Sequence, residues 1–226
     1  MAKRSKRYMQ SATVLNPTKK YELQEAIKVL KSFKPAKFDE SVEVAMKLGI
    51  DPKQSDQLIR GSISLPKGIG KSLKVIVFAG GDKAEIAKKA GADEVGAEDL
   101  VKKVEGGWTD FDVAISASDM MRLVGKLGRV LGPVGKMPSP KSGTVTDDIE
   151  TAVREFKAGK IEYRTDAGGN VHALVGKTSF SDKDLEENIS AFVKHIVSAR
   201  PVSAKGVFVE KVSVSSTMSP GIVLQV

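Results

Sequence analysis

The sequence predicts an α+β domain built from both chain ends, with an α/β domain inserted between them. Three observations predict it. In both end regions apolar residues alternate with polar ones, as in strands buried on one face. At Leu73–Ala79 (LKVIVFA) and Phe111–Ala117 (FDVAISA) the apolar run is nearly unbroken, as in strands covered on both faces. Between these runs and after them strands and helices alternate, which wires a parallel sheet. The split domain is set at residues 1–66 and 160–226, and the insert at 67–159.

The elements follow in order. A basic arm opens the chain and ends near Asn16-Pro17. Leu23, Ala26, Ile27, Leu30 and Phe33 recur at helical spacing, and Pro35 stops that helix. Ser41–Leu48 alternates as a strand, and Gly61–Leu65 does so more briefly. In the insert, Gly80-Gly81-Asp82 turns the first buried strand into a helix over 83–90. Val95 marks a short strand, and helices are expected at 97–104, 120–131 and 147–157. Past Gly159, Lys160–Arg164 and Val171–Val175 flank Asp166-Ala167-Gly168-Gly169-Asn170, which reads as a hairpin and its turn. Ser181 and Asp184 form a capping-box pattern for a helix with Leu185, Ile189, Phe192, Val193 and Ile196 on one face. Gly206–Ser213 and Gly221–Leu224 close the chain as strands.

Charge separates the two parts. The 226 residues carry 36 Lys/Arg against 28 Asp/Glu, net +8. Residues 67–159 hold 15 Lys/Arg against 14 acids, so the split domain carries +7 of the total. A balance of this sign favours polyanionic partners. There is no cysteine, which excludes disulfides, thiol catalysis and Cys-ligated metal. His172 and His195 lack metal-ligand spacing. No apolar run approaches the ~20 residues of a membrane span, and MAKRSKRYM lacks the apolar segment of a secretory leader. No cofactor, metal or membrane is expected.

One stretch stands out by composition. Met120–Thr146 has five cations (Arg122, Lys126, Arg129, Lys136, Lys141), no acid, and a second half crowded with Gly and Pro. Such a surface suits phosphate, on a nucleotide or along a nucleic-acid backbone. The nucleotide reading is weak. Gly68-Ile69-Gly70-Lys71-Ser72 imitates the end of a phosphate-binding loop, yet Leu65 stands where that motif needs glycine and a strand, not a helix, follows. Gly80-Gly81 lacks the G-x-G-x-x-G spacing, since Ala84 breaks it. Asp110, Asp112, Asp147 and Asp148 sit at element ends, where acids serve as caps and turn formers. A phosphate-substrate enzyme using Lys71 or the Gly-rich loop is therefore the minor alternative, and a DNA-binding regulator a third, without a helix-turn-helix to support it.

Two segments have the makings of an RNA contact. In Lys37-Phe38-Asp39-Glu40-Ser41 an aromatic stands beside a lysine where a loop enters a strand, placed to pack on a base or ribose. In Val214–Gly221 hydroxyls and Met218 lie between two apolar strand segments, suited to phosphate, 2′-OH or sugar. Taken alone, Phe38 reads first as a core residue at a strand start, and 214–221 as an ordinary polar loop.

Taken together, these segments resemble the large-subunit ribosomal protein L-one family. The likeness covers nearly the whole chain. It rests on Lys37–Glu43, Leu48-Gly49-Ile50-Asp51, Gly107-Trp108, Gly125–Pro133, Met137-Pro138, Pro140-Lys141, Gly143-Thr144-Val145, Tyr163-Arg164, Val175-Gly176-Lys177 and Ser216-Thr217-Met218. The resemblance implies a Rossmann-like insert and a non-enzymatic, cytoplasmic protein of the large ribosomal subunit, monomeric when free. It implies binding to ribosomal RNA of the mobile stalk beside the tRNA exit site, aid to the release of deacylated tRNA, and repression of its own mRNA.

Carried over by position, the RNA surface comprises Lys37, Phe38, Asp39, Glu40 and Ser41 with Thr217, Met218 and Ser219, joined by Arg164, Asp166 and Gly168. Arg129, Lys136 and Lys141 are expected to make auxiliary contacts to RNA or tRNA. The chain departs from the family pattern at Ser41 (commonly Thr), Thr165 (Asn), Lys136 (Leu), Ser139 (Asn) and Ser219 (Gly). A side chain at 219 is expected to crowd the RNA, and to be strained if φ is positive there.

Overall fold

The computed structural model describes residues 4–16 and 19–225. It comprises two compact units, Met1–Gly70 with Ile161–Val226, and Lys71–Lys160.

The first unit is built on a four-stranded sheet. Strands β1 (Ser41–Leu48), β7 (Asn170–Lys177), β8 (Val209–Ser216) and β9 (Ile222–Leu224) lie in the order β7-β1-β8-β9, with all neighbours antiparallel. Alternation along β1 sends Val42, Val44, Met46 and Leu48 inward, where each is fully buried. Helices α2 (Leu23–Ser32) and α8 (Asp182–Ser198) supply Ile27, Leu30, Leu185, Ile189 and Phe192 to the core. The cap at Ser181 forms as expected, its hydroxyl accepting from the Asp184 N–H at 3.1 Å. The expected N-terminal arm is instead the helix α1 (Lys6–Val14), because Ser5 caps it by accepting from the Tyr8 N–H.

The expected hairpin at 160–175 is corrected. The turn forms, with Asp166 N–H donating to the Asn170 carbonyl and one bridge between Thr165 and Val171. Beyond that bridge the strands part. β6 (Lys160–Arg164) pairs with β2 (Arg60–Ser64) in a separate two-stranded sheet, while β7 joins β1. Thr165 fixes the divergence: its buried hydroxyl donates to the Ile59 carbonyl and accepts from the Ile59 N–H, at 2.8 and 2.9 Å.

Residues 67–70 belong to the first unit and not to the insert, for a local reason. The fully buried Asn188 of α8 accepts from the Lys67 N–H and donates to the carbonyls of Gly68 and Val175. Gly70 then passes so close to Phe180, at φ +69°, that a Cβ would lie 2.7 Å from the ring.

The second unit has a parallel three-stranded sheet, β3 (Val75–Phe78) between β4 (Glu94–Gly96) and β5 (Val113–Ser116). Its strands explain the unbroken apolar runs. Val75, Val77 and Ile115 face α3 (Asp82–Lys89) and α7 (Ile149–Ala158), while Ile76, Phe78 and Ala114 face α4 (Glu98–Glu105) and residues 124–131. The expected helix over 120–131 is broken into α5 (Met121–Val124), a 3₁₀ turn and α6 (Gly128–Val134), with a further 3₁₀ turn at Ser118–Met120. Gly125, Gly128, Gly132 and Pro133 weaken a continuous helix, yet Val124, Leu127 and Leu131 keep their buried stripe.

Candidate RNA interface

β1 begins where the loop 35–41 ends, and β8 ends where the turn 217–219 begins. Because Val42 pairs with Ser216, the antiparallel register brings both predicted segments to one end of the sheet. The Ser41 N–H donates to the Thr217 hydroxyl at 3.0 Å, and the Thr217 N–H donates to the Ser41 carbonyl at 3.0 Å.

Glu40 joins them from below. Its side chain is buried, with the residue 5% exposed. One carboxylate oxygen accepts from the Ala36 N–H at 2.8 Å, the other from the Ser216 hydroxyl at 2.6 Å and the Met218 N–H at 3.1 Å. Arg7 of α1 lies 3.7 Å away. Burial works against its charge, but these donors and Arg7 outweigh it and hold the carboxyl below its ordinary value. Glu40 thus shapes both loops and does not present itself to a ligand, which corrects its expected place among contact residues. Asp39 is equally engaged. It accepts from the hydroxyls of Thr178 and Ser179 and from the Ser179 N–H, and the Ser179 hydroxyl above all holds its carboxyl below the usual aspartate value.

With both acids spent, the surface presents other groups. Phe38 is 54% exposed and Met218 51%. Large apolar side chains held this open on neighbouring loops invite a partner. The core reading of Phe38 is overturned: its loop stands off the sheet. Lys37 and Thr217 are exposed beside them. Ser219 shows no strain, since among the described residues only glycines have positive φ. Its hydroxyl accepts from the Ser216 N–H at 2.9 Å, closing the turn. Lys177 belongs to the site although it was not singled out from sequence. Paired with Ser41 across β1 and β7, it donates to the Ser41 hydroxyl at 2.9 Å. Only the register reveals it.

Arg164, Asp166 and Gly168 do not join this cluster. The same register places Asn170 opposite Lys47, at the far end of β1, and Lys47 donates to the Gly168 carbonyl. Six strand residues separate the ends, about 20 Å. Asp166 is also occupied locally. It accepts from the Asn170 side chain, the Asn170 N–H and the Gly168 N–H, which with His172 nearby lower its pKa to about 2. Arg164 is exposed. The first unit therefore has two polar patches, one at each end of the sheet.

In the second unit, Arg129 and Lys141 are exposed, as are Arg122 and Lys126. Lys136 is not available: its ammonium donates to the carbonyls of Thr109 and Phe111 and lies over the Phe111 ring. A phosphate site at the Gly80-Gly81 turn is opposed by charge. Lys83 there is held by Asp119 at 2.9 Å and Asp147 at 2.7 Å, with Asp82 beside it. Lys71 is held by Asp112 at 2.7 Å. Among the described residues no cluster of His, Cys, Asp or Glu is arranged to hold a metal, and no helix is long and apolar enough to cross a membrane.

Fold and site together define a two-unit mixed α/β protein in which exposed Phe38 and Met218 stand on paired loops at one end of a sheet. The chain belongs to the Ribosomal protein L1p/L10e family, whose profile matches residues 30–220. It is 53% identical over 224 residues to the large ribosomal subunit protein uL1 of Kosmotoga olearia, covering 99% of this chain and 97% of that one. It is also 53% identical over 222 residues to the uL1 protein of Protochlamydia amoebophila, covering 98% and 94%. These relatives are named as ribosomal proteins, not enzymes.

Proposed function

We propose that this protein is a component of the large ribosomal subunit that binds ribosomal RNA of the mobile stalk beside the tRNA exit site. The observation that carries this is the pairing of exposed Phe38 with exposed Met218 on two loops whose acids, Asp39 and Glu40, are consumed by internal hydrogen bonds. An aromatic face and a flexible thioether suit bases and sugars, and Lys37 and Lys177 suit the phosphates between them. The second patch, Arg164 with the 166–170 turn, lies about 20 Å off along the sheet, a separation that favours a folded RNA segment over a small ligand.

On this reading the first unit anchors the protein, while Arg129 and Lys141 give weaker, salt-sensitive contacts to RNA or exit-site tRNA and so assist release of deacylated tRNA. The same face serves for repression, by binding a similar structure in the protein's own mRNA. The test is titration of a stalk-RNA fragment against the wild type and the Phe38→Ala, Thr217→Ala and Met218→Ala variants. Weaker binding by the folded variants supports the reading, and unchanged binding by all three refutes it. Competition by the leader of its own mRNA tests the regulatory part.

A further inference from the structure

Helix α1 is tied to the loops that carry Phe38 and Met218, and this gives the basic N-terminal segment a place. Arg7 reaches Glu40 at 3.7 Å, and the same carboxylate holds the Met218 N–H and the Ala36 N–H. One turn further along the helix, Ser11 is 6% exposed. It forms part of the wall of a groove of about 340 Å³, together with Phe33, Lys34, Pro35, Met218 and Ser219. The groove therefore runs from Ser11 of α1 to Met218, and Lys34 lines it. Arg4 and Lys6 are exposed at the start of α1, and Lys34 and Lys37 are exposed on the segment that leads to β1. The acids within reach, Asp39 and Glu40, are both engaged by donors. Arg4 also lies over the Tyr8 ring at 4.8 Å, which orders a guanidinium without neutralising it.

We infer that α1 is a second limb of the RNA interface: the strand that packs on Phe38 and Met218 continues across the groove, and its phosphates meet Arg4 and Lys6 on α1. Arg7 acts differently. It positions the helix through Glu40, and its charge is largely answered there. The inference rests on the proposed RNA-binding face and adds to it a named set of phosphate contacts outside the paired loops.

The division of labour makes the test specific. Full-length protein carrying Arg4→Ala and Lys6→Ala is titrated with the stalk-RNA fragment over a salt series. Each lost phosphate contact reduces the magnitude of the slope of log K against log salt by slightly less than one. The double variant is expected to lose about 1.5 from the slope and several-fold in affinity at low salt, with unchanged thermal unfolding. Arg7→Ala is expected to weaken binding at all salt concentrations, because it loosens the Glu40 loops. An unchanged slope in the double variant, with Phe38→Ala still weakening binding, overturns the role of α1 alone. If Phe38→Ala and Met218→Ala also leave binding unchanged, the fault lies in the RNA-binding face itself.

Discussion

The paired loops around Phe38 and Met218 and the segment Met120–Thr146 make opposite impressions in sequence and in space. The first contains two acids in five residues at 37–41; the second has none in 27. Composition alone favours the second as a polyanion site. In the structure one acid of the first, Glu40, is buried and the other, Asp39, is held at the surface by the Thr178 and Ser179 donors, leaving an aromatic, a thioether and Lys37 outside. In the second, Lys136 is spent on the Thr109 and Phe111 carbonyls. What a surface offers is set by which groups remain unsatisfied after folding, and a charge count does not see this.

The largest expected effect comes from removing the group that shapes the first region. Glu40→Ala leaves the buried Ser216 hydroxyl and two part-buried N–H groups without an acceptor and is expected to cost about 2–4 kcal/mol of stability, with RNA binding weakened as well. Glu40→Gln keeps one acceptor and is expected to fall between. The pH dependence follows from a lowered folded-state pKa. The stabilisation from Glu40 is complete above its ordinary value of 4.5 and disappears as pH falls through the lower folded value. Unfolding curves of wild type and Glu40→Gln should converge in acid; a constant gap would show that the carboxylate's charge is not what matters.

Next come the exposed side chains. Phe38→Ala and Met218→Ala are each expected to weaken RNA binding by about 1–3 kcal/mol, roughly 5- to 150-fold, with little change in melting temperature. The reverse pattern is expected in the second region. Lys136→Met should lower the stability of the unit around Phe111 and leave RNA affinity within about threefold, since its ammonium faces carbonyls and not solvent. A large loss of affinity there would erase the contrast between the regions. Arg129→Ala with Lys141→Ala should change chiefly the salt slope, by somewhat under one per cation. The smallest effect is expected at the turn. Ser219→Gly gives up one hydroxyl acceptor and adds backbone freedom, a change of about 1 kcal/mol or less in stability, measurable by denaturant unfolding.

Much of this arrangement is legible in the sequence because periodicity reports burial. The inward face of β1 and the two-faced burial of β3 and β5 are written as alternation and as unbroken runs. The cap at Ser181 is a local pattern and forms locally. Three things are not legible. Whether Lys160–Arg164 and Val171–Val175 stay paired depends on Thr165 finding Ile59, over a hundred residues away. That Glu40 is a buried tie rather than a contact depends on Ser216, brought near by register alone. That the 166–170 turn and Met218 lie at opposite ends of one sheet follows from which residues pair, and no local signal carries it. Helix α1 was missed because its apolar residues form no periodic stripe; its cap and its tether to Glu40 hold it.

The sheet order β7-β1-β8-β9 has a consequence for the order of events during synthesis. β1 is made early, but both its neighbours come from beyond residue 169. Until they emerge from the translating ribosome, both edges of β1 are bare, whereas Lys71–Lys160 is contiguous and can close on itself as soon as it is exposed. The Phe38 loop stays without its Ser216–Met218 partner for the same interval. The paired loops are therefore assembled last, so a nascent chain lacks the face proposed for RNA while most of the protein is being made.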